Sequence, residues 1–454
     1  MPMMRPLRSL SVRNFRCFTI GQVLSVTCGW MMFVAQDWLV LSMSGDSAQT
    51  LGVITALQFA PVLLLTLYAG RLADRHDKRR LLVLANVAAG VLALLLGLLL
   101  LSGAERLWHI YVFAFALGTV SAVETPARMS FVSEMVGPDL LPNASAMSAA
   151  YFNVARIVGP ALAGVAIGRF GVVSVVLLNS VSYLATVSAL LLMRPQELLR
   201  GGIRPHGAKV ADGLRHLRSR PDLVLPLTLV ACVGLLGFNF QLTLPLLAKT
   251  VFHTGSASFG MLTTALAAGS LAAAFATTAR SGRPSQRLVL GAAIGFAAVE
   301  TAAGLASGYA VALVLLAGTG FGSVYFAQAA NHRIQLGTDP QYRGRVMALY
   351  SLVFQGSTPL GALASGWLAE RWGVRVVLWG GGLGSLTVTL VLIFLFTGHR
   401  PEPAGKPDPE ERTRDGGGGA RGRNEATPGR GSSPLQPGSR KTRARIPTLQ
   451  RRGD

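Results

Sequence analysis

The chain has 454 residues, 51% of them hydrophobic and only 14% charged, where soluble domains carry roughly a quarter charged residues. With a mean hydropathy of +0.46 the profile is that of a membrane protein and excludes an ordinary water-soluble domain. The formal charge of +21 lies largely in alternate loops and the tail, which argues against nucleic acid as the partner.

Apolar runs long enough to cross a bilayer, about 20 residues each, recur along the first 400 residues. In chain order their approximate cores are 17–43, 50–72, 81–102, 107–127, 144–168, 171–193, 223–248, 257–279, 288–307, 309–330, 346–369 and 374–397. The runs are continuously apolar rather than alternating every second residue, so they are expected as helices and not as strands of a barrel. The basic start, MPMMRPLRSLSVRNFRC, has no secretory cleavage pattern, and the first span is expected to be retained. Cys17, Cys28 and Cys232 lack the paired spacing that metal or redox sites need and are expected as small hydrophobes.

Lysine and arginine gather in alternate loops: Arg5, Arg8, Arg13 and Arg16 before span one, Arg75 to Arg80 after span two, and Arg194 to Arg220 after span six. Arg280, Arg283 and Arg287 follow span eight, and Arg333, Arg343 and Arg345 follow span ten. Positive residues mark the cytoplasmic side, so both termini are expected there, in a bacterial-type plasma membrane. The basic stretch 194–222 divides the chain into a six-helix half, 1–193, and a second, 223–397. The two halves carry a degenerate parallel repeat: MSAAYFNVARIVGPALAGVAIGRFGVV from Met147 answers MALYSLVFQGSTPLGALASGWLAERWGVRVV from Met347. Such duplication is a transporter architecture. Residues 398–454 are rich in Pro, Gly, Arg and Ser and are expected to form a disordered cytoplasmic tail, either solvated or attached to anionic lipid.

Between spans two and three stands GRLADRHDKRR, Gly70 to Arg80. Topology alone accounts for its arginines and lysine but not for Gly70 or Asp74. A glycine near a helix end allows close helix approach, and Asp74 can accept from basic neighbours or from the N–H groups opening another helix, expected at the start of span eleven. The stretch resembles the loop hallmark of the major facilitator superfamily, Gly-x-x-x-Asp-(Arg/Lys)-x-Gly-(Arg/Lys)-(Arg/Lys), with Gly70, Asp74, Arg75, Lys78 and Arg79 in register. Asp77 stands where the pattern prefers glycine, which makes the turn less permissive. The resemblance implies an all-α membrane protein of twelve transmembrane helices in two six-helix halves. It also implies a gating cluster in which Lys78 is joined by an acidic residue at the inner end of span four, here Glu124. A purely topogenic loop is the alternative.

RIVGPALAG, Arg156 to Gly164, resembles the span-five element of exporters in that superfamily, through Gly159, Pro160 and Gly164, although the upstream glycine is replaced by Tyr151 and Ala155. Pro160 removes a backbone donor while the small residues leave a smooth packing face. The first two spans, VAQDWLVLSMSG and LGVITALQFAPVLLL, are similar to the enterobactin-exporter-like and macrolide-efflux-like branch.

Ionisable groups within spans are costly and mark function. Arg156, with Asn153 a turn earlier, is the first choice for a cavity facing an anionic substrate, with a structural ion pair as the alternative. Asp37 is the candidate for proton coupling, unless it is an outer residue wetted by the external vestibule. Glu300 is the second candidate for that role, against packing or a lipid edge. Gln355, with Gln36, Gln58, Asn239, Gln241 and Gln328, can line the cavity or join helices. GTGFGS at 318–323 lacks the Lys-Ser/Thr of a phosphate loop and is expected as a packing face. The resemblance thus implies a proton-driven exporter of amphipathic small molecules, drugs, macrolides or siderophores. It needs no bound cofactor, uses the proton gradient, works in lipid and is expected as a monomer. The rivals are a polytopic enzyme on lipid-linked substrates and a non-transporting sensor or scaffold.

Overall fold

The computed structural model describes residues 8–199, 214–217, 220–278, 280 and 282–397, without the side chains of 66, 67, 71, 73, 74, 396 and 397. The tail from 398, most of the basic linker and the Asp74 carboxylate, all singled out by the sequence, therefore lie outside the described residues. No strand occurs among those described.

Among the described residues, ten helical runs are long and apolar enough to cross a membrane by length and composition. α1 (Arg13–Ser44) stops where Gly45 turns left-handed at φ 64° and returns its N–H to Leu41. Ser47 caps α2 (Ala48–Arg75) by accepting from the Thr50 N–H. Asp77 does the same for α3 (Lys78–Ser102), accepting from Arg80 N–H at 3.1 Å with φ at −61°. This corrects the expectation that Asp77 handicaps the turn. The turn needs no positive φ, and a short carboxylate there satisfies a helix N–H that glycine would leave open.

A single helical run, Leu107–Leu191, departs from helical angles at Gly137 (φ 73°, ψ 174°) and at Gly171 (φ 78°, ψ 168°). These breaks divide it into α4 (107–136), α5 (138–170) and α6 (172–191). Gly373, at φ 85° and ψ 157°, separates α11 (Arg343–Trp372) from α12 (Val374–Thr397). The Phe170-Gly171-Val172 and Trp372-Gly373-Val374 steps thus share one backbone conformation, open to glycine and disfavoured for other residues. The sequence repeat is a repeat of shape.

α7 is discontinuous: Pro221–Leu236 resumes as Phe240–Leu246 and ends in a π turn over Leu247–Val251. The continuous span expected over 223–248 breaks at 237–239, where Asn239 bonds its side-chain amide back to the carbonyls of Leu235 and Leu236. α8 (Ser256–Thr278), α9 (Gln286–Gly304) and α10 (Tyr309–Gly337) follow. The glycines at 318–323 are a packing face: Gly320 lies against the Leu266 backbone and Gly322 against Phe296.

The buried apolar side chains form three clusters, whose placement defines two ends of the bundle. At the end bearing the 76–77 turn, called here the basic end, the clusters are separate. Phe15, Phe18, Leu82, Phe131 and Leu190 fill one half, and Leu229, Val233, Phe326, Ile334 and Val346 fill the other. At the far end one cluster joins both halves, from Val40, Leu51 and Ile167 to Leu247, Leu262 and Leu378. In lipid, small residues rather than apolar burial decide where helices close up, and they act at the far end too. A methyl on Gly52 of α2 would sit 2.6 Å from the Ala362 carbonyl oxygen of α11 and 3.2 Å from the Gly366 Cα, while one on Gly164 of α5 would sit 2.7 Å from the Ser256 carbonyl oxygen of α8. A methyl on Gly70 would meet open space. The close approach expected at Gly70 is therefore absent here; α2 and α11 meet instead at the far end, through Gly52 and Gly366.

Candidate functional site: a central cavity between two ends

A cavity of about 420 Å³ lies between the halves. Val34, Leu244, Phe259 and Leu266 belong both to its wall and to the far-end cluster, so that cluster forms its ceiling. α1 contributes Trp30, Phe33, Val34 and Asp37, spaced i, i+3, i+4 and i+7 and so on one helix face. α5 contributes Arg156 and Pro160, a turn apart, and Phe238, Phe240 and Gln241 enter from the broken part of α7.

Asp37 is 2% exposed, and its Oδ1 has no hydrogen-bond partner. It is walled in by protein rather than wetted at an outer vestibule. Arg156 makes no ion pair among the described residues; its guanidinium lies over the Trp30 ring at 5.7 Å, and Trp30 in turn meets Phe33 and Phe152. The structural ion pair considered for Arg156 is not formed. A cation held on an aromatic face keeps hydrogen-bonding capacity for an incoming anion. The cavity thus presents one acid and one base, unpaired, on largely aromatic walls.

Of the polar and ionisable sequence candidates for the cavity, only Asp37, Arg156 and Gln241 line it; Asn153, Gln355, Glu300, Gln36, Gln58, Asn239 and Gln328 do not. Asn153 bonds to the Ala149 carbonyl of its own helix at 2.8 Å, and Gln355 is exposed, while its neighbours Phe354 and Thr358 face the cavity. Gln241 does line it and reaches Gln58 of the other half at 3.4 Å. Gln328 bonds Thr277 between α10 and α8. Glu300 is 1% exposed but does not line the cavity. The aromatic lining was overlooked, although the Trp30-Phe33-Val34-Asp37 spacing was there to be found.

At the basic end the charges sort differently from expectation. Lys78 pairs with Glu134 at 2.5 Å, and Glu124 pairs with Arg128 at 2.9 Å within α4. The expected Lys78–Glu124 partnership fails because α4 runs on to the break at Gly137. Glu134 lies ten residues further along, about 15 Å at 1.5 Å per residue. Arg79 donates to the carbonyls of Leu190 and Leu191, closing the C-terminus of α6, as a cation near that end should. Arg75 is exposed in the last turn of α2.

At the far end, Glu370 of α11 accepts from the Gln49 N–H at 3.1 Å and from the Ser47 hydroxyl at 3.2 Å. A carboxylate of one half thereby caps a helix of the other. Lys249, over the Trp38 ring, pairs with Asp46 at 2.5 Å across the same seam. Span five closes against two neighbours: a methyl on Gly159 would lie 2.6 Å from the Trp30 Cβ, Gly260 packs on the Pro160 carbonyl, and Gly164 accepts from the Ser256 hydroxyl at 3.1 Å.

The family model described as transmembrane secretion effector matches residues 4–403. The chain belongs to that family. Among relatives of this transmembrane secretion effector, the staphyloferrin A transporter of Staphylococcus aureus is 28% identical over 256 residues, covering 54% of this chain and 62% of that protein, somewhat less than two thirds of its length. The multidrug efflux pump Tap of Mycobacterium tuberculosis is 24% identical over 370 residues, covering 75% of this chain and 84% of the pump. Among solved structures, a bacterial homologue of the human lysosomal transporter Spinster superposes with a TM-score of 0.65 at 16% identity, covering 88% of this chain and all of that one. At that identity it shows the fold alone: an all-helical transporter fold of the major facilitator type. The named relatives are transporters and efflux pumps, not enzymes on lipid-linked substrates.

Proposed function

We propose that the protein is a proton-coupled exporter of amphipathic small molecules, drugs or siderophores with an anionic group, working by alternating access between residues 1–193 and 223–397. The observation that carries this reading is the cavity in which Asp37 and Arg156 face the same space without pairing. The basic end is cytoplasmic, with both termini there, so the closure described at the far end corresponds in this reading to the state that loads from the cytoplasm.

In this reading the aromatic walls take the apolar part of the substrate and Arg156 takes its anionic part. Asp37 then binds a proton in one state and releases it in the other, since a carboxylate so little exposed and without a partner is costly without a proton or a counter-charge. The capping contact of Glu370 and the Lys249–Asp46 pair hold the outer side shut until loading. The monomer suffices, as each half supplies one wall. The similarity to a staphyloferrin A transporter and to a multidrug pump supports the substrate class.

Reconstitution into proteoliposomes tests the proposal. An imposed pH gradient should drive accumulation of at least one amphipathic anion from a panel of carboxylate siderophores and acidic drugs, with macrolides and cationic dyes as the comparison. A complete panel without gradient-driven uptake overturns it.

A further inference from the structure

Away from the cavity, a second buried carboxyl lies where a membrane helix is broken. Glu300, one turn before the end of α9, is 1% exposed and its Oε2 has no hydrogen-bond partner. Three features surround it, and a fourth holds the neighbouring break of α7 together. A methyl on Gly237, the first residue after the first segment of α7, would stand 2.7 Å from Glu300 Oε2 and 2.8 Å from the Phe296 ring, so only glycine leaves the carboxyl its place. A methyl on Gly381 of α12 would stand 2.5 Å from the Leu236 carbonyl oxygen and 3.7 Å from Glu300 Oε1, which puts the last carbonyl of that segment within about 6 Å of the carboxyl. Gly382, next along α12, packs on Thr301 and Ala297 and brings that helix against α9. Finally, Asn239 keeps its Oδ1 unpartnered and 6% exposed in residue terms, while its amide holds the break together.

Among the described residues no basic group pairs with Glu300. On the helices packed against α9, Tyr309 is bonded to Ser258, Lys249 to Asp46, Asp222 to Arg220 and Arg283 and Arg333 to Pro284. Tyr325 lies under Arg280. Cys232, His332 and Arg375 on the same helices, and Arg287 on α9 itself, make no bond to Glu300 among the described residues. A carboxylate facing the carbonyl end of a half-helix, with phenyl rings on its other side, has like partial charge before it and nothing to solvate it. A metal cation would need several oxygens converging in place of its hydration shell, whereas Asn239 Oδ1 lies against Gly361 of α11, the Leu236 carbonyl accepts from the Asn239 amide, and the Phe296 ring supplies none. A proton needs only the carboxyl.

We propose that Glu300 and the 237–239 break of α7 form a second proton-binding site, outside the substrate cavity, whose occupancy sets the position of Phe238 and Phe240 in the cavity wall. The exchange is the simplest one: an O–H bond forms on the Glu300 carboxyl with a proton taken from water, and it breaks to return that proton. When Glu300 is neutral, α7 can hold its carbonyl end against it. When Glu300 is charged, that end is repelled, and the break, with no continuous helical bonding to resist, is the place where α7 gives. Phe238 lies within the break and Phe240 opens the segment after it, and both line the cavity, so the movement reaches the substrate directly. This site does not depend on Asp37 and stands if Asp37 proves uncoupled.

The test uses the full chain in lipid and the proton as ligand. Infrared pH-difference spectra should contain the carbonyl stretch of a titrating carboxylic acid that disappears in Glu300→Gln and persists in Asp37→Asn. Gly237→Ala, which pushes a methyl into the carboxyl's place, should shift that band rather than abolish it. Spin labels across the basic end should report a distance that changes with pH in the wild type and is fixed in Glu300→Gln at the open value, since the amide mimics the neutral acid. The proposal is overturned if the band survives in folded Glu300→Gln, or if at constant pH it responds to sodium instead.

Discussion

Glycines 52 and 70 lie on one helix, and adding the same methyl group to each should push the protein in opposite directions. At Gly52 the new Cβ would sit 2.6 Å from the Ala362 carbonyl oxygen, and ordinary contact begins at about 3.4 Å, so α2 and α11 must part by about 0.8 Å. The obstacle is backbone, which cannot swing aside as a side chain can. Overpacking of this kind costs about 1–3 kcal/mol, and the whole of it falls on the state closed at the far end. Gly52→Ala should therefore favour the alternative state by a factor of about 5 to 150. At Gly70 the methyl meets nothing in the state described, so any cost falls on the state in which the basic end closes. Pulsed electron-spin distances between labels at the exposed Tyr68 and Leu352, in a background with Cys17, Cys28 and Cys232 replaced by alanine, read the balance. Gly52→Ala should gain a shorter-distance population and Gly70→Ala should lose one. A Gly52→Ala distribution that is unchanged or longer would refute the reasoning.

Other variants test the separate parts. Asp37→Asn should bind substrate but lose most pH-gradient-driven accumulation, measured as initial uptake into proteoliposomes; full coupling would move the role elsewhere. Arg156→Gln should weaken binding of anionic compounds about tenfold, the effect of a charge-assisted hydrogen bond of about 1.5 kcal/mol, and leave cationic dyes unaffected. Glu134→Gln should free Lys78 and shift the spin-label distances. Glu124→Gln leaves that pair intact and should not reproduce the shift. Lys249→Met should move the balance away from far-end closure only a few-fold, since its pair with Asp46 is partly exposed and such pairs contribute at most about 1 kcal/mol.

Apolar runs, loop charge and the 147/347 repeat were sufficient to draw the helical frame, because hydrocarbon permits few alternatives to a long apolar helix. The same signals were silent on helix ends. Nothing apolar marks where α4 stops after 127, since α4 leaves the apolar core and continues through Ser130, Ser133 and Glu134 to Gly137, and the partner of Lys78 was misassigned for that reason. The break in α7 was hidden because Gly237 and Asn239 are unremarkable in an apolar run; only their neighbours Glu300 and Gly381 give them meaning. Asp37 and Arg156 were legible as costly intramembrane charges. That they share a cavity while Asn153 and Gln355 do not is a matter of helix rotation, which the spacing on α1 could have fixed and single residues could not.

The shared far-end cluster also bears on assembly. Residues 1–193 and 223–397 each contribute a basic-end core of their own, yet the far-end core is complete only when residues from both are present. A chain severed within 200–213 should therefore rejoin as two co-expressed polypeptides.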